Sequence, residues 1–221
     1  ENILKALESI KYGNNHVHFC HVSSKEELHY ATSNIKNSVS VEVCPHHLFL
    51  TAKDLNDLGA FGEMKPSLKT IEDGKALWEG IYNGKVNTIA TDHAPHTKEE
   101  KLEINYPYGV PGCETMLPLL LHASNNQKIE LKKIIQLCCE NPAKIFKIKD
   151  KGFIKEGFDA DLTIIDLNLE KEVKNDELFT KCKWSPFNGW KIKGWPVTTI
   201  VNGKIIFDNG KINNIAAKEV L

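Results

Sequence analysis

Apolar positions along the first 150 residues switch repeatedly between two periods. Ile3, Leu4, Leu7 and Ile10 recur at helical spacing, and the pattern stops at Gly13. His16 to Val22 alternates, which predicts a strand. Ser24 followed by Glu27 is a capping box, so a helix starts there and runs to about Ile35. Val39 to Val43 is the next strand, closed by Cys44-Pro45-His46-His47. Leu48 to Leu58 predicts a loop and a short helix, with a second cap from Thr51 to Asp54. A polar loop from Gly59 to Lys69 follows, then a helix from Glu72 to Tyr82 with Ala76, Leu77 and Ile81 on one face. Asn83-Gly84 turns the chain into a strand from Val86 to Ala90. Strands alternating with helices predict a parallel sheet or barrel.

Glu99 to Pro111 is a loop rich in Pro, Gly and Tyr. Glu114 to Ser124 and Leu131 to Cys139 predict apolar helices. Asn141-Pro142 opens a short helix through Ile148, since proline suits a first helical turn. The pattern then changes. Leu162 to Ile165, Thr198 to Val201 and Lys204 to Phe207 are strand-like. Asn202-Gly203 between the last two is a strong hairpin signal. This places a domain boundary near residue 150, with residues 1–150 as one domain and 151–221 as a small β domain.

Composition narrows the function classes. The 28 basic and 29 acidic residues leave a net charge of −1, which gives no electrostatic case for nucleic acid or an anionic membrane. No apolar run approaches the roughly 20 residues of a membrane span. The six cysteines show no CxxC spacing, which predicts a reduced, cytoplasmic chain and not a disulfide framework. The chain begins Glu-Asn-Ile-Leu, without Met or a signal peptide, and enters directly on a helical pattern. We therefore expect it to be a piece of something longer.

In a parallel barrel, chemistry sits at the carboxyl ends of strands. Three such ends carry candidates: Cys20-His21, Pro45-His46-His47 and Asp92-His93. Asp92 ends an apolar strand in Ala90-Thr91-Asp92-His93-Ala94-Pro95-His96; by itself it reads equally as a catalytic carboxylate or a turn residue. His21 falls in step with Val17 and Phe19, an inward set, and a neutral imidazole there suits a metal. His16 and His18 form an HxH pair of the opposite parity at the strand's start, so the bland reading is ahead for them. His46 and His47 read as packing and hydrogen-bonding residues. Cys20 and Glu42 are weak candidates for an extra metal, and Lys65 for an anion.

Together these stretches resemble the dihydroorotases of the amidohydrolase superfamily. The segments that carry the resemblance are Cys20-His21-Val22-Ser23-Ser24, Glu42 to Leu48, Met64-Lys65-Pro66-Ser67-Leu68, Ala90 to Thr97 with Glu99-Glu100-Lys101, and Gly109 to Thr115. Asn141 to Phe146, Gly157 to Leu162 and Trp184 to Gly189 extend it over nearly the whole chain. The resemblance implies an α/β fold, the C-terminal part of a (β/α)8 TIM barrel followed by the C-terminal strands of a small β domain. The strands leading to His21, His46-His47 and Asp92 would be barrel strands six, seven and eight.

The activity implied is reversible cyclisation of N-carbamoyl-aspartate to dihydroorotate in pyrimidine synthesis, with two zinc ions per complete site. His21 and Asp92 would be metal ligands, and Asp92 also the catalytic base. Lys65, His96, Tyr108 and Gly109 would bind the small-molecule substrate, although relatives place Asn or Arg at position 65. His93 would support them, and Cys20 with Glu42 would match an additional zinc position in some relatives. The family's other metal ligands lie upstream of Glu1, so the given residues alone are expected to be inactive and poorly soluble. Homo-oligomerisation or association with other pyrimidine-pathway enzymes is left open. The alternatives are another cyclic amidohydrolase, an allantoinase or dihydropyrimidinase, and a non-catalytic dihydroorotase-like scaffold.

Overall fold

The computed structural model describes residues 16–33 and 39–213. The helix expected over residues 3–11 lies outside them, as does the end of the next helix beyond Ser33. Two compact units are present. One is formed by the described residues up to Met116 with Lys174–Asn188, the other by Leu117–Val173 with the described residues from Gly189 onward.

The first unit is built on a parallel sheet of β1 (Val17–Phe19), β2 (Val39–Val43) and β3 (Thr88–Ile89), in that order. Val17 pairs with Val39 and Glu42 with Thr88. The flanking strands are shorter than their apolar patterns suggest, because single hydrogen bonds carry the pairing onward at each end. Val22 N–H donates to Glu42 O at 2.9 Å, and Ala90 N–H to Val43 O at 3.1 Å. Val41 and Val43 on the central strand are fully buried, as the covered faces of a parallel sheet require.

Helix Lys25–Ser33 begins where the capping pattern places it. The Glu27 carboxylate accepts hydrogen bonds from Ser23 N–H (2.9 Å), Ser23 Oγ–H (2.9 Å) and Ser24 N–H (3.1 Å), and Glu27 N–H donates to Ser24 Oγ. Burial opposes ionisation of Glu27, but these hydrogen bonds override it and hold the carboxyl below its usual range. Glu27→Ala is therefore expected to cost about 1 kcal/mol at pH 7. A depressed folded-state pKa contributes stability that is complete above the unfolded value, about 4.3, and is lost as pH falls through the folded value. The difference in urea unfolding midpoint between the parent and the variant should narrow as pH falls below about 4.3.

The capping box Thr70–Asp73 starts helix Ile71–Tyr82, which buries Leu77, Gly80 and Ile81. Gly80 permits a close crossing with helix Lys25–Ser33: a Cβ there would lie 2.6 Å from Leu28 Cδ2. Each strand of this unit is followed by helical chain, the repeat from which a (β/α)8 barrel is made.

In the second unit, helices lead into an antiparallel sheet of β4 (Leu162–Glu172), β5 (Lys191–Val201), β6 (Lys204–Asp208) and β7 (Lys211–Ile212). The Asn202-Gly203 hairpin forms as read, with φ of 49° and 75° and Val201 opposite Lys204. Asn125, at the end of helix Met116–Asn125, donates from its side-chain amide to Leu167 O and Lys193 O, both at 2.9 Å. That one side chain pins the helix to β4 and β5. Among the described residues no helix is long and apolar enough to cross a membrane.

Candidate active site

A parallel sheet collects the carboxyl ends of its strands on one edge. Here that edge carries His21 after β1, His46 and His47 after β2, and Asp92 after β3. His21 and Asp92 share an uncommon backbone state. Their φ values are 43° and 45°, in the left-handed region that non-glycine residues seldom adopt. Such a conformation costs of order 1–3 kcal/mol and persists where the surroundings impose it, often at functional sites.

At His21 the surroundings include Glu42. Its Oε1 accepts from His21 N–H at 3.4 Å, and its Oε2 lies 3.3 Å from His18 Nε2. His18 Nδ1 lies 2.6 Å from Ser40 Oγ. His18 is thus a half-buried partner of Ser40 and Glu42, while His16 is exposed. The strand ends at Phe19, and the left-handed turn at His21 redirects the chain, so alternation cannot be extended from Phe19 to His21. Ligand atoms of His18, Cys20 and Glu42 come within 4.8 Å of one another. Burial, then Glu42 and Asp92, push the Cys20 thiol pKa up.

His46 and His47 are buried, and their rings meet edge-on with centroids 4.3 Å apart. His47 Nε2–H donates to Pro66 O at 2.9 Å, leaving Nδ1 with a lone pair. His47 Nδ1 and His46 Nε2 are buried without a hydrogen-bond partner. Burial and the neighbouring imidazoles of His47 and His21 hold His46 neutral. With Cys44 these two residues form the second group of potential ligands among the described residues. Neither group contains His21 or Asp92. The donor types on this edge (imidazole, carboxylate and thiolate) are those zinc accepts, so the residues present fit a metal.

The Asp92 segment is locked to a second loop. His93 bridges to Val110, and Ala94 N–H donates to Val110 O at 3.1 Å. His93 Nδ1 accepts from Gly112 N–H at 3.0 Å, a further tie between the two segments. His96 Nε2–H donates to Tyr108 O at 3.2 Å, and Lys65 Nζ sits 4.1 Å from the centre of the Tyr108 ring. Gly109, at φ 131°, lies so close to Ala94 that a Cβ would come within 2.6 Å of the Ala94 Cβ. Lys65, His96, Tyr108 and Gly109 are therefore brought together in one cluster.

Two residues of this region carry weight that sequence reasoning did not assign. Lys101 is fully buried and donates to three backbone carbonyls, those of Glu63 (3.1 Å), Pro107 (2.9 Å) and Gly109 (3.2 Å). Trp184, in the Lys174–Asn188 segment, donates its indole N–H to His96 O at 2.6 Å. The signals were a lysine inside a matching motif and a tryptophan flanked by Ser-Pro, and neither names a partner.

The sequence profile of the amidohydrolase family matches residues 4–206. The chain belongs to that family. Among its amidohydrolase relatives, the dihydroorotase of Pyrococcus furiosus is 41% identical over 210 residues, covering 95% of this chain and 49% of that protein. The dihydroorotase of Halobacterium salinarum is 37% identical over 206 residues, 92% and 48% of the respective chains. Among solved structures, the L-hydantoinase (dihydropyrimidinase) of Arthrobacter aurescens superposes with a TM-score of 0.90 at 30% identity, over 96% of this chain and 49% of that one. The dihydropyrimidinase of Brevibacillus agri gives 0.89 at 22% identity, over 95% and 48%, which speaks to fold alone. The chain spans about half the length of the relatives it matches. As an amidohydrolase it has the fold expected, the later part of a TIM barrel followed by a small antiparallel domain.

Proposed function

We propose that this chain supplies the later half of a zinc-dependent dihydroorotase, which interconverts dihydroorotate and N-carbamoyl-aspartate in pyrimidine synthesis. The observation that carries the reading is the shared sheet edge. It presents His21 and Asp92 in the same constrained backbone state, and His96 follows Asp92 within the segment that meets Tyr108 and Gly109, with Lys65 against the Tyr108 ring. His21 and Asp92 would be ligands to zinc, with further ligands from outside the described residues, since a zinc centre takes three or four protein ligands. A bound zinc supplies an acidified water and a polarised amide carbonyl.

Asp92 then accepts the proton that the attacking water releases and passes it to the ring nitrogen as the C–N bond breaks. The substrate is anionic, so it needs a cationic and hydrogen-bonding clamp. Lys65 provides charge, and His96, Tyr108 and Gly109 provide polar contacts beside it. Lysine at position 65 is a single point charge and cannot form the bidentate fork of an arginine. His46 and His47, held neutral by burial, add no charge to this edge.

The second reading is a hydantoinase or dihydropyrimidinase activity, favoured by the 0.90 superposition on the Arthrobacter enzyme. The deciding assay presents dihydroorotate, dihydrouracil, hydantoin and allantoin to the complete metal-loaded enzyme. Dihydroorotate turnover, abolished by a chelator and restored by zinc, is the expected result. Turnover of dihydrouracil or hydantoin without dihydroorotate would replace the dihydroorotase reading. Residues 1–221 alone should show no turnover in the same assay, because the proposed site draws only His21 and Asp92 from them, fewer than the three or four protein ligands of a zinc centre.

A further inference from the structure

We propose that Lys101 is a positioning residue for substrate binding: its buried ammonium holds together the two loops that carry the candidate substrate contacts. This rests on the dihydroorotase reading for the identity of the substrate, but not for the mechanics.

Three observations combine. First, Lys101 has no solvent exposure, and it spends its three N–H donors on three carbonyls from two separate loops. Glu63 precedes Met64-Lys65, while Pro107 and Gly109 flank Tyr108. Second, the loops also bond directly, through Gly109 N–H to Glu63 O at 3.0 Å. The Glu63 carbonyl therefore accepts from both Gly109 and the ammonium, and the ammonium closes a ring of contacts around Tyr108. Third, every predicted substrate contact hangs on that ring. Lys65 lies against the Tyr108 face, His96 bonds the Tyr108 carbonyl, and Gly109 is itself an acceptor of Lys101. Aromatic faces line the pocket around the ammonium, with Tyr106 at 5.6 Å and Trp184 at 5.9 Å from Nζ to ring centre.

The physical logic is that of a pinned loop. A cation buried without a directly bonded carboxylate is costly, and its charge is compensated here by oriented carbonyl dipoles. Burial pushes the Lys101 pKa down, and the Glu63 carboxylate acts against that. An apolar replacement would remove the cost of the charge and strand the Pro107 and Gly109 carbonyls, leaving Glu63 O with Gly109 N–H alone. The loop would then be free to move by the ångström or so that costs binding geometry dearly. Because Lys101 acts through Tyr108 and Gly109 and not on the reacting atoms, its loss should appear in KM and leave kcat little changed.

The test uses the complete zinc-loaded enzyme and its Lys101→Met and Lys101→Arg variants. KM and kcat are measured with dihydroorotate, and backbone amide hydrogen exchange is followed over residues 106–112 and over strand β2. The expected result for Lys101→Met is a KM raised by about 10–100-fold, kcat within about threefold, and faster exchange at Gly109 with β2 unchanged. Lys101→Arg, which keeps the charge but cannot set its donors on the same three carbonyls, should fall between. An unchanged KM with unchanged exchange at Gly109 would overturn the proposal. So would loss of protection across β2 in both variants, since Lys101 would then be a general fold residue. If the parent enzyme does not turn over dihydroorotate, the dihydroorotase reading fails by itself. The exchange measurement, with KM taken on whichever cyclic amide is hydrolysed, still decides the role of Lys101.

Discussion

In the dihydroorotase we propose, Asp92→Asn is expected to lower kcat for dihydroorotate hydrolysis by about 10²–10⁴-fold, with the fold intact. The substitution is chosen for the backbone. Asp92 sits at φ 45°, and asparagine tolerates the left-handed region better than almost any other side chain. Shape and backbone are kept, and the loss is confined to a carboxylate that can take a proton and ligate a cation. An amide does not take up a proton at neutral pH and is only a weak, uncharged ligand. If Asp92 is the base, kcat and kcat/KM fall together, because the lost interaction belongs to the transition state. Metal content by mass spectrometry separates the two roles: a variant that keeps its zinc and loses turnover has lost the base. A kcat within tenfold of the parent would remove Asp92 from proton transfer.

Trp184→Ala should produce the largest loss of stability, about 3–5 kcal/mol. Trp184 is among the largest fully buried side chains, at 1% exposure, and its ring meets Phe61 edge-on at 5.0 Å. It lies between β4 and β5 in the chain, in a segment that returns to the first unit. The same segment is held near its middle by Glu114, whose carboxylate accepts from Phe179 N–H at 2.9 Å and from Thr180 N–H at 2.5 Å. Removing the indole opens a cavity and leaves the His96 carbonyl without its donor. Trp184→Phe restores most of the volume but not the hydrogen bond, so it should cost about 1–3 kcal/mol. Urea unfolding of both variants checks the order. A loss below 1 kcal/mol for Trp184→Ala would mean that the segment does not anchor there. The tie to His96 also predicts a raised KM in Trp184→Phe.

Much of the local structure was legible because its causes are local. Ser24 with Glu27 specified a helix start through hydrogen bonds that span three residues. Asn202-Gly203 specified a hairpin because those residues accept positive φ at little cost. The central strand Val39–Val43 was read with the bounds it has, since Val39, Val41 and Val43 alternate with Ser40 and Glu42 at the period of a strand. Strand β5 was largely missed before Thr198. Gly194 and Pro196 are unfavourable inside a strand, and the sheet absorbs Pro196 opposite Ile165 beside a register shift. That accommodation is made by the neighbouring strand, and no window around Pro196 contains it.

The candidate site divides in the same way. Which side chains could do chemistry followed from residue type, strand ends and the family resemblance: His21, Asp92, Lys65, His96, Tyr108 and Gly109. The sequence by itself also determined the amidohydrolase family and the order of its elements, since both are written in motifs a few residues long. Only the tertiary structure decided how those side chains are held. It put His21 and Asp92 in the same left-handed backbone, set Glu42 against the His21 amide, and ran Lys101 into three carbonyls from two loops. The reason is distance along the chain. Lys101 meets a carbonyl 38 residues away and Trp184 one 88 residues away. The energy of a buried donor depends on the acceptor it finds there, not on its neighbours in sequence.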